Sequence, residues 1–371
     1  MRASSVPDGE RTPHPALRTA ICGLFGVDYP IVQTGMGWVS TPELTAATAN
    51  AGALGILAAG TLTLAETDAA IARTRELTGR PFGVNLRGDA PDLAERAALL
   101  VTHGVRVASF ALAPSERVIR GLKDDGLVVV PSVGARRHAE KVAAWGVDAV
   151  IAQGAEGGGH TGSVPTSILL PQVVDAVDLP VIAAGGFSDG RGLVAALAYG
   201  AAGIAMGTRF QLTSDSPVPA SVRAEYLKAT VTDTVVTAVL DGVPQRVLRT
   251  RLVEQLLGGG PLSRLRRSAG YAVAFRRMSG TRWRDMIAEG LALKRGHELG
   301  WTQVIMAANT PMMLRASMVD GRTDLGTLAS GQVVGVIDDV PGCAELVERI
   351  VAQASAVLER LGEQHGQAGH D

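Results

Sequence analysis

A (β/α)₈ barrel with an inserted helical cap and a C-terminal closing helix is the fold this chain predicts, and two observations predict it. Eight short runs of small or β-branched residues alternate with helical patterns through the first two hundred residues, and the runs end in glycine-rich turns. The length, 371 residues, exceeds one ordinary core and fits a barrel of about 250 residues with an addition. The runs are 30–34, 53–58, 82–86, 106–110, 127–132, 149–153, 181–184 and 203–206. Between them lie helical patterns at 40–51, 64–77, 92–102, 115–123, 136–145, 167–177 and 190–199, most opening near Ser, Thr or Asp and closing near Gly. Strict alternation implies a parallel sheet covered on both faces, and eight units imply closure. A doubly wound sheet is the alternative; it usually has fewer strands and carries its glycine fingerprint after the first one.

Composition narrows the function classes. Apolar residues make up 46%, so the chain packs a core, and 45 glycines, about 12% against a usual ~7%, show no period of three. They therefore mark turns, tight backbone packing or phosphate contacts. With 35 basic and 36 acidic side chains the balance is not that of a nucleic-acid protein. Cys22 and Cys343 suggest neither a disulfide framework nor a metal site and fit a reduced cytoplasmic setting. The N-terminal stretch holds Arg2, Arg11, Arg18, Asp8, Glu10 and three prolines without an apolar core, and reads as a loose tail. The longest uncharged stretch, 44–65, is interrupted by Asn50, threonines and glycines; a buried helix followed by a strand explains it better than a membrane span.

After Phe210 the alternation stops. Residues 245–303 read as helical and basic, with twelve Arg or Lys against four acids, a local charge of +8 that leaves the rest of the chain at −9. Such a run is either a solvated face or a cap that draws a polyanionic substrate to the barrel mouth. Residues 342–361 place Leu346, Val347, Ile350, Val351, Ala354 and Leu358 on one helical face, which should pack on the barrel. The expected organisation is a tail over 1–18, a barrel over 19–225, a basic cap or substrate domain over 226–325, a returning segment over 326–361 and a tail over 362–371.

In a barrel the loops after the strands build the active site. Here strand one runs into Gly35-Met36-Gly37, strand six into Gly154-Ala155-Glu156-Gly157-Gly158-Gly159-His160, strand seven into Gly185-Gly186-Phe187, and strand eight into Gly207-Thr208-Arg209. Loops seven and eight are the habitual phosphate cradle: glycine lets backbone N–H groups close on the anion, Thr208 adds a hydroxyl, and the helix after Asp189 adds its dipole. The alternative is ordinary tight turns. His160 stands where the reactive ring of a phosphate-anchored cofactor would face, and is the candidate acid or base. Glu156 either orients it or faces solvent. Asn85 and Gln153 end strands three and six inside apolar runs; their amides serve the barrel backbone or a ligand with donors and acceptors on one edge, such as the uracil-like edge of a flavin. Ser132 is a weaker candidate. No histidine or carboxylate cluster at ligand spacing supports a metal.

Taken together, these residues resemble the FMN-dependent barrel family of nitronate monooxygenases (2-nitropropane dioxygenase-like proteins), an NADH:quinone reductase and type II enoyl-acyl-carrier-protein reductases. The resemblance covers residues 19–361 and rests on Pro30-Ile31-Val32-Gln33 with Gly35-Met36, Pro81-Phe82-Gly83-Val84-Asn85, Gly158-Gly159-His160, Ala184-Gly185-Gly186-Phe187, Met206-Gly207-Thr208-Arg209-Phe210 and Ser330-Gly331-Gln332. It implies non-covalent FMN with its phosphate at Gly186 and Gly207-Thr208, its ring near Gly35, Met36, Asn85 and Gln153, and His160 beside the reactive face. Gly37, Gly158, Gly159, Gly185 and Met206 complete that cofactor set. The basic cap, Phe275-Arg276-Arg277-Met278-Ser279 and Met306-Ala307-Ala308-Asn309-Thr310-Pro311 look most like an actinobacterial subgroup linked to late steroid catabolism, which dehydrogenates a hydroxylated indane-carboxyl-CoA thioester.

That subgroup implies α,β-dehydrogenation of an acyl-CoA, with NAD as a further electron acceptor and Arg266, Arg267, Arg276 and Arg277 meeting the CoA phosphates. Nitronate oxidation with O₂, reduction of a quinone or enoyl thioester by NAD(P)H, and a catalytically silent phosphate-binding barrel are the competing readings. A small-molecule substrate is expected, with neither nucleic acid nor membrane as partner; a homodimer is compatible with the sequence.

Overall fold

The computed structural model describes residues 12–258 and 312–367. Eight parallel strands close a barrel: β1 (Ile31–Gln33), β2 (Leu54–Ala58), β3 (Gly83–Leu86), β4 (Val107–Phe110), β5 (Val128–Val133), β6 (Val150–Gln153), β8 (Val181–Ala184) and β9 (Gly203–Met206). β9 returns to β1 in the register Gln33↔Met206, which seals the cylinder. Every barrel strand begins and ends within one residue of the run expected from sequence. The strand β7 (Gly159–His160) lies outside the barrel, in the loop after β6.

Side chains alternate across each strand, and two cores result. In β5, Val128 and Val130 face inward with Ile56, Val107, Ile151, Ile182 and Ala205, while Val129 and Val133 face the surrounding helices. The inner cluster also takes in Ile21 and Phe25 from helix Ala20–Phe25, an element the sequence pattern did not single out. Thr19 Oγ1 donates to Ala202 O just before β9, and Arg106 just before β4 donates to Leu24 O, so this helix stoppers the N-terminal end of the barrel. The tail expected over 1–18 is anchored at its end: Leu17 is buried, and His14 N–H donates to Ser355 Oγ at 3.0 Å.

The stretch 44–65 folds as helix Pro42–Asn50 followed by β2, and no helix among the described residues is long and apolar enough to cross a membrane. Both cysteines are free and buried. The closing helix runs Cys343–Gln367, so it extends past the expected stop at 361. Leu346, Val347, Ile350, Val351 and Ala354 are all buried, against helices Gly190–Ala198 and Pro42–Asn50. Its approach to the first of these depends on Gly190, where a methyl would sit within 3.0 Å of Ile350 O and Ala354 N, both backbone atoms that cannot step aside. Gly190→Ala should therefore lower stability by about 1–3 kcal/mol through overpacking, seen as a lower thermal midpoint; an unchanged midpoint would mean that the helix pair can separate freely.

Beyond the barrel the described chain departs from the all-helical reading of 245–303. β10 (Thr234–Thr237) and β11 (Gln245–Leu248) form an antiparallel hairpin, and β11 also pairs with β7, giving a three-stranded sheet. Arg246, one of the twelve basic residues of that segment, is 9% exposed, donating to Ala155 O from Nε and Nη2 and to Thr234 Oγ1 from Nη1. It is a buried tie between sheet and barrel, not a cation on a cap surface. Arg266, Arg267, Arg276 and Arg277, and the segments 275–279 and 306–311, lie outside the described residues.

Candidate active site

The glycine turns that follow β1, β6, β8 and β9 meet at the C-terminal mouth of the barrel, where neighbouring turns touch one another. A methyl built at Gly35 would collide with Asn85; one at Gly207 would lie 3.1 Å from Thr34 Oγ1 and 3.4 Å from Met36 Sδ; one at Gly186 would lie 3.7 Å from Glu156 Cβ. A methyl at Gly158 would press within 2.6 Å of Gly331 N. Ser330-Gly331-Gln332 is thus brought back to the mouth from far along the chain: Gly331 N–H donates to Thr208 Oγ1 at 2.9 Å, and Gln332 N–H to Glu156 O at 2.9 Å.

At the β8–β9 side a donor set stands ready for an anion. Gly185 and Gly186 have φ of +98° and +85°, a conformation that glycine adopts without strain. The N–H groups of Gly186, Gly207 and Thr208 have no acceptor among the described residues. Thr208 Oγ1 already accepts from Gly331, which frees its own proton for donation into the same space. A phosphate monoester fits these donors. The helix Gly190–Ala198 contributes less than expected, because its first N–H groups are occupied: Gly190 donates to Gln353 Oε1 at 2.8 Å, and Arg191 and Gly192 to Asp189 Oδ1 at 3.0 and 3.2 Å. Arg209, in the same motif as Thr208, is buried and donates to Leu212 O, Asp339 O and Asp339 Oδ1, fastening the returning segment to the barrel.

His160 sits in β7, opposite Gln245 of β11. Its carbonyl accepts from Gln153 Nε2 at 2.7 Å, so one of the two amides expected to meet a ligand holds the histidine's own backbone. The ring is 60% exposed at the mouth, and its Nε2 lies 2.7 Å from Oδ2 of Asp241, whose side chain is 15% exposed. Asp241 comes from the β10–β11 connection and was not among the residues singled out from sequence. Burial works against its ionisation, yet hydrogen bonds from His160 and the Val243 N–H outweigh that and hold the carboxyl below the usual carboxylate range. It is therefore charged through neutral pH, and the pairing is lost only as pH falls through that lowered value. Glu156 plays neither of its expected parts. Its carboxylate accepts from Thr166 N–H at 3.0 Å and lies 2.7 Å from Thr166 Oγ1, capping helix Thr166–Val174.

Asn85 is half-buried beside Gly35, with Nδ2 at 3.4 Å from Ser109 Oγ and no partner for Oδ1 among the described residues. Its amide can therefore serve a ligand. Ser132, half-buried in β5, also lies near this end. Phosphate donors on one side, an amide oxygen without a partner among the described residues on the other and a paired histidine at the rim can seat a planar phosphorylated ring and handle a proton beside it.

A closed barrel with such a mouth has the architecture of a (β/α)₈ protein that binds a phosphorylated ligand at its C-terminal face. The family model described as nitronate monooxygenase matches residues 18–103 and 94–353, and the chain belongs to that family, whose members are flavin-dependent. It is 58% identical over 352 residues to the (3aS,4S,5R,7aS)-5-hydroxy-7a-methyl-1-oxo-octahydro-1H-indene-4-carboxyl-CoA dehydrogenase of Mycobacterium tuberculosis, covering 92% of this chain and 98% of the relative. Similarity to the dehydrogenase of the same name from Rhodococcus jostii is 57% over 346 residues, covering 93% and 98%. A probable nitronate monooxygenase of Staphylococcus saprophyticus is 32% identical over 65% of this chain and 81% of its own length. Among solved structures, FabK from Thermotoga maritima superimposes with a TM-score of 0.76 at 32% identity, covering 94% of this chain and 99% of that one.

Proposed function

We propose that this chain is an FMN-dependent dehydrogenase that desaturates the α,β bond of a bicyclic hydroxy-indane-carboxyl-CoA thioester, a step in steroid ring degradation. The observation that carries the reading is the near-complete coverage at 57–58% identity of two dehydrogenases named for such a thioester, against 32% over a shorter span for a probable nitronate monooxygenase.

Gly186, Gly207 and Thr208 would hold the FMN phosphate, Gly35, Met36, Gly37 and Asn85 would border the ring, and Gln153 would act through the backbone of His160. When bound, FMN supplies the acceptor for the hydride that leaves the β carbon. The thioester carbonyl acidifies the neighbouring α carbon, and His160 takes the proton from it. NAD⁺ is the proposed final acceptor, and the setting is cytoplasmic. Arg266, Arg267, Arg276 and Arg277 are proposed to meet the CoA phosphates, in keeping with the +8 charge of 245–303.

Anaerobic titration tests this. The saturated bicyclic acyl-CoA should bleach the flavin and an alkyl nitronate should not; the converse would replace the reading with nitronate oxidation, and a protein that takes up no FMN would overturn both. With the four arginines replaced by Gln, half-bleaching should need more acyl-CoA and depend less on salt. Unchanged behaviour would return them to the solvated surface.

A further inference from the structure

We propose that Asp241 is a positioning residue that fixes the tautomer of His160 and so selects Nδ1 as the nitrogen that removes the α-proton. The inference rests on the reading of His160 as the base. An ionised carboxylate only accepts hydrogen bonds, so at 2.7 Å from Asp241 the Nε2 atom must carry a proton. In the neutral ring the lone pair then resides on Nδ1.

The pairing is built rather than incidental. A histidine ring 60% exposed would ordinarily sample several rotamers. Here its backbone is pinned from both flanks: Gln153 Nε2 donates to its carbonyl, β11 pairs with it at Gln245, and the next residue, Thr161, donates from N–H to Pro244 O at 3.1 Å and from Oγ1 to Gly154 O at 3.0 Å. Asp241 is pinned in turn, with Oδ1 accepting the Val243 N–H at 3.1 Å. The connection that carries it turns at Gly242, whose φ is +86°. The nearby charged groups on the neighbouring elements are committed elsewhere: Glu156 to Thr166, and Arg246 to Ala155 O and Thr234. The three-stranded sheet thus brings one half-buried carboxylate to one exposed ring across 81 residues of sequence. When the α C–H bond breaks, its electron pair stays on carbon, delocalised into the thioester carbonyl, and the proton forms the Nδ1–H bond. The imidazolium so produced is stabilised by the Asp241 charge.

The test uses the full chain with ¹⁵N-labelled histidine, under conditions that keep the imidazole rings neutral. The His160 ring, assigned by its loss in His160→Gln, should show a protonated Nε2 and an unprotonated Nδ1 in the parent, and averaged nitrogens in Asp241→Ala. In the FMN-loaded enzyme Asp241→Asn should lower kcat by about 10–100-fold with little change in KM, and Asp241→Glu should recover part of it. A parent ring protonated at Nδ1 overturns the proposal, whether or not the variants fold. So does full kcat in Asp241→Asn while His160→Gln is slow. Full turnover in His160→Gln would instead overturn the parent reading of the base.

Discussion

His160→Gln should bind FMN as the parent does and yet turn over about 10²–10⁴-fold more slowly, the usual loss when a positioned acid or base is removed. The geometry separates the two effects. What His160 contributes to the fold it contributes through its backbone, as the acceptor for Gln153 Nε2 and as a rung of β7 against β11, and neither changes with the side chain. The ring is mostly exposed, so its loss opens no cavity. Glutamine keeps a donor for Asp241 but has no lone pair able to take a proton at neutral pH. Anaerobic single-turnover reduction of the bound flavin measures the step directly, and an α-deuterated thioester should slow it if proton removal limits the rate. Full-speed reduction by His160→Gln would remove the histidine from the chemistry.

The choice of His160 needed only the sequence, because it follows three glycines at a strand mouth. Its partner needed the structure. Asp241 lies 81 residues downstream, in a connection with no periodicity and no motif, and nothing local distinguishes it from any other turn aspartate. The barrel was legible for the opposite reason. A parallel strand buried on both faces is a nearly continuous apolar run, and helices here close on left-handed glycines such as Gly52, Gly104, Gly126, Gly146 and Gly200, so periodicity and punctuation agree. They agree no longer after Phe210. There Gln245–Leu248 carries a charge, Arg246, whose burial depends on acceptors at Ala155 and Thr234 that only the tertiary fold brings near. Helix Ala20–Phe25 escaped for another reason: six residues are too few for a helical period to declare itself.

The phosphate cradle yields the second large effect. Thr208→Val removes a hydroxyl at nearly constant volume from a buried position, so the loss is a donor rather than a cavity. A hydrogen bond to a charged group contributes about 1.5–3 kcal/mol, and FMN affinity should therefore fall about 10–100-fold, measured by fluorescence titration of the apoprotein, with Thr208→Ser recovering most of it. The same substitution orphans the Gly331 N–H, which would disturb the returning segment whatever the ligand. Riboflavin separates the two contributions, since it has the ring but no phosphate. If Thr208 reads the phosphate, Thr208→Val weakens FMN and leaves riboflavin nearly unchanged. If the variant only loosens Gly331 against Gly158 and Glu156, both ligands weaken together. Equal losses would therefore move the phosphate away from Thr208, and an unaltered FMN affinity would leave the anion to the backbone N–H groups of Gly186 and Gly207 alone.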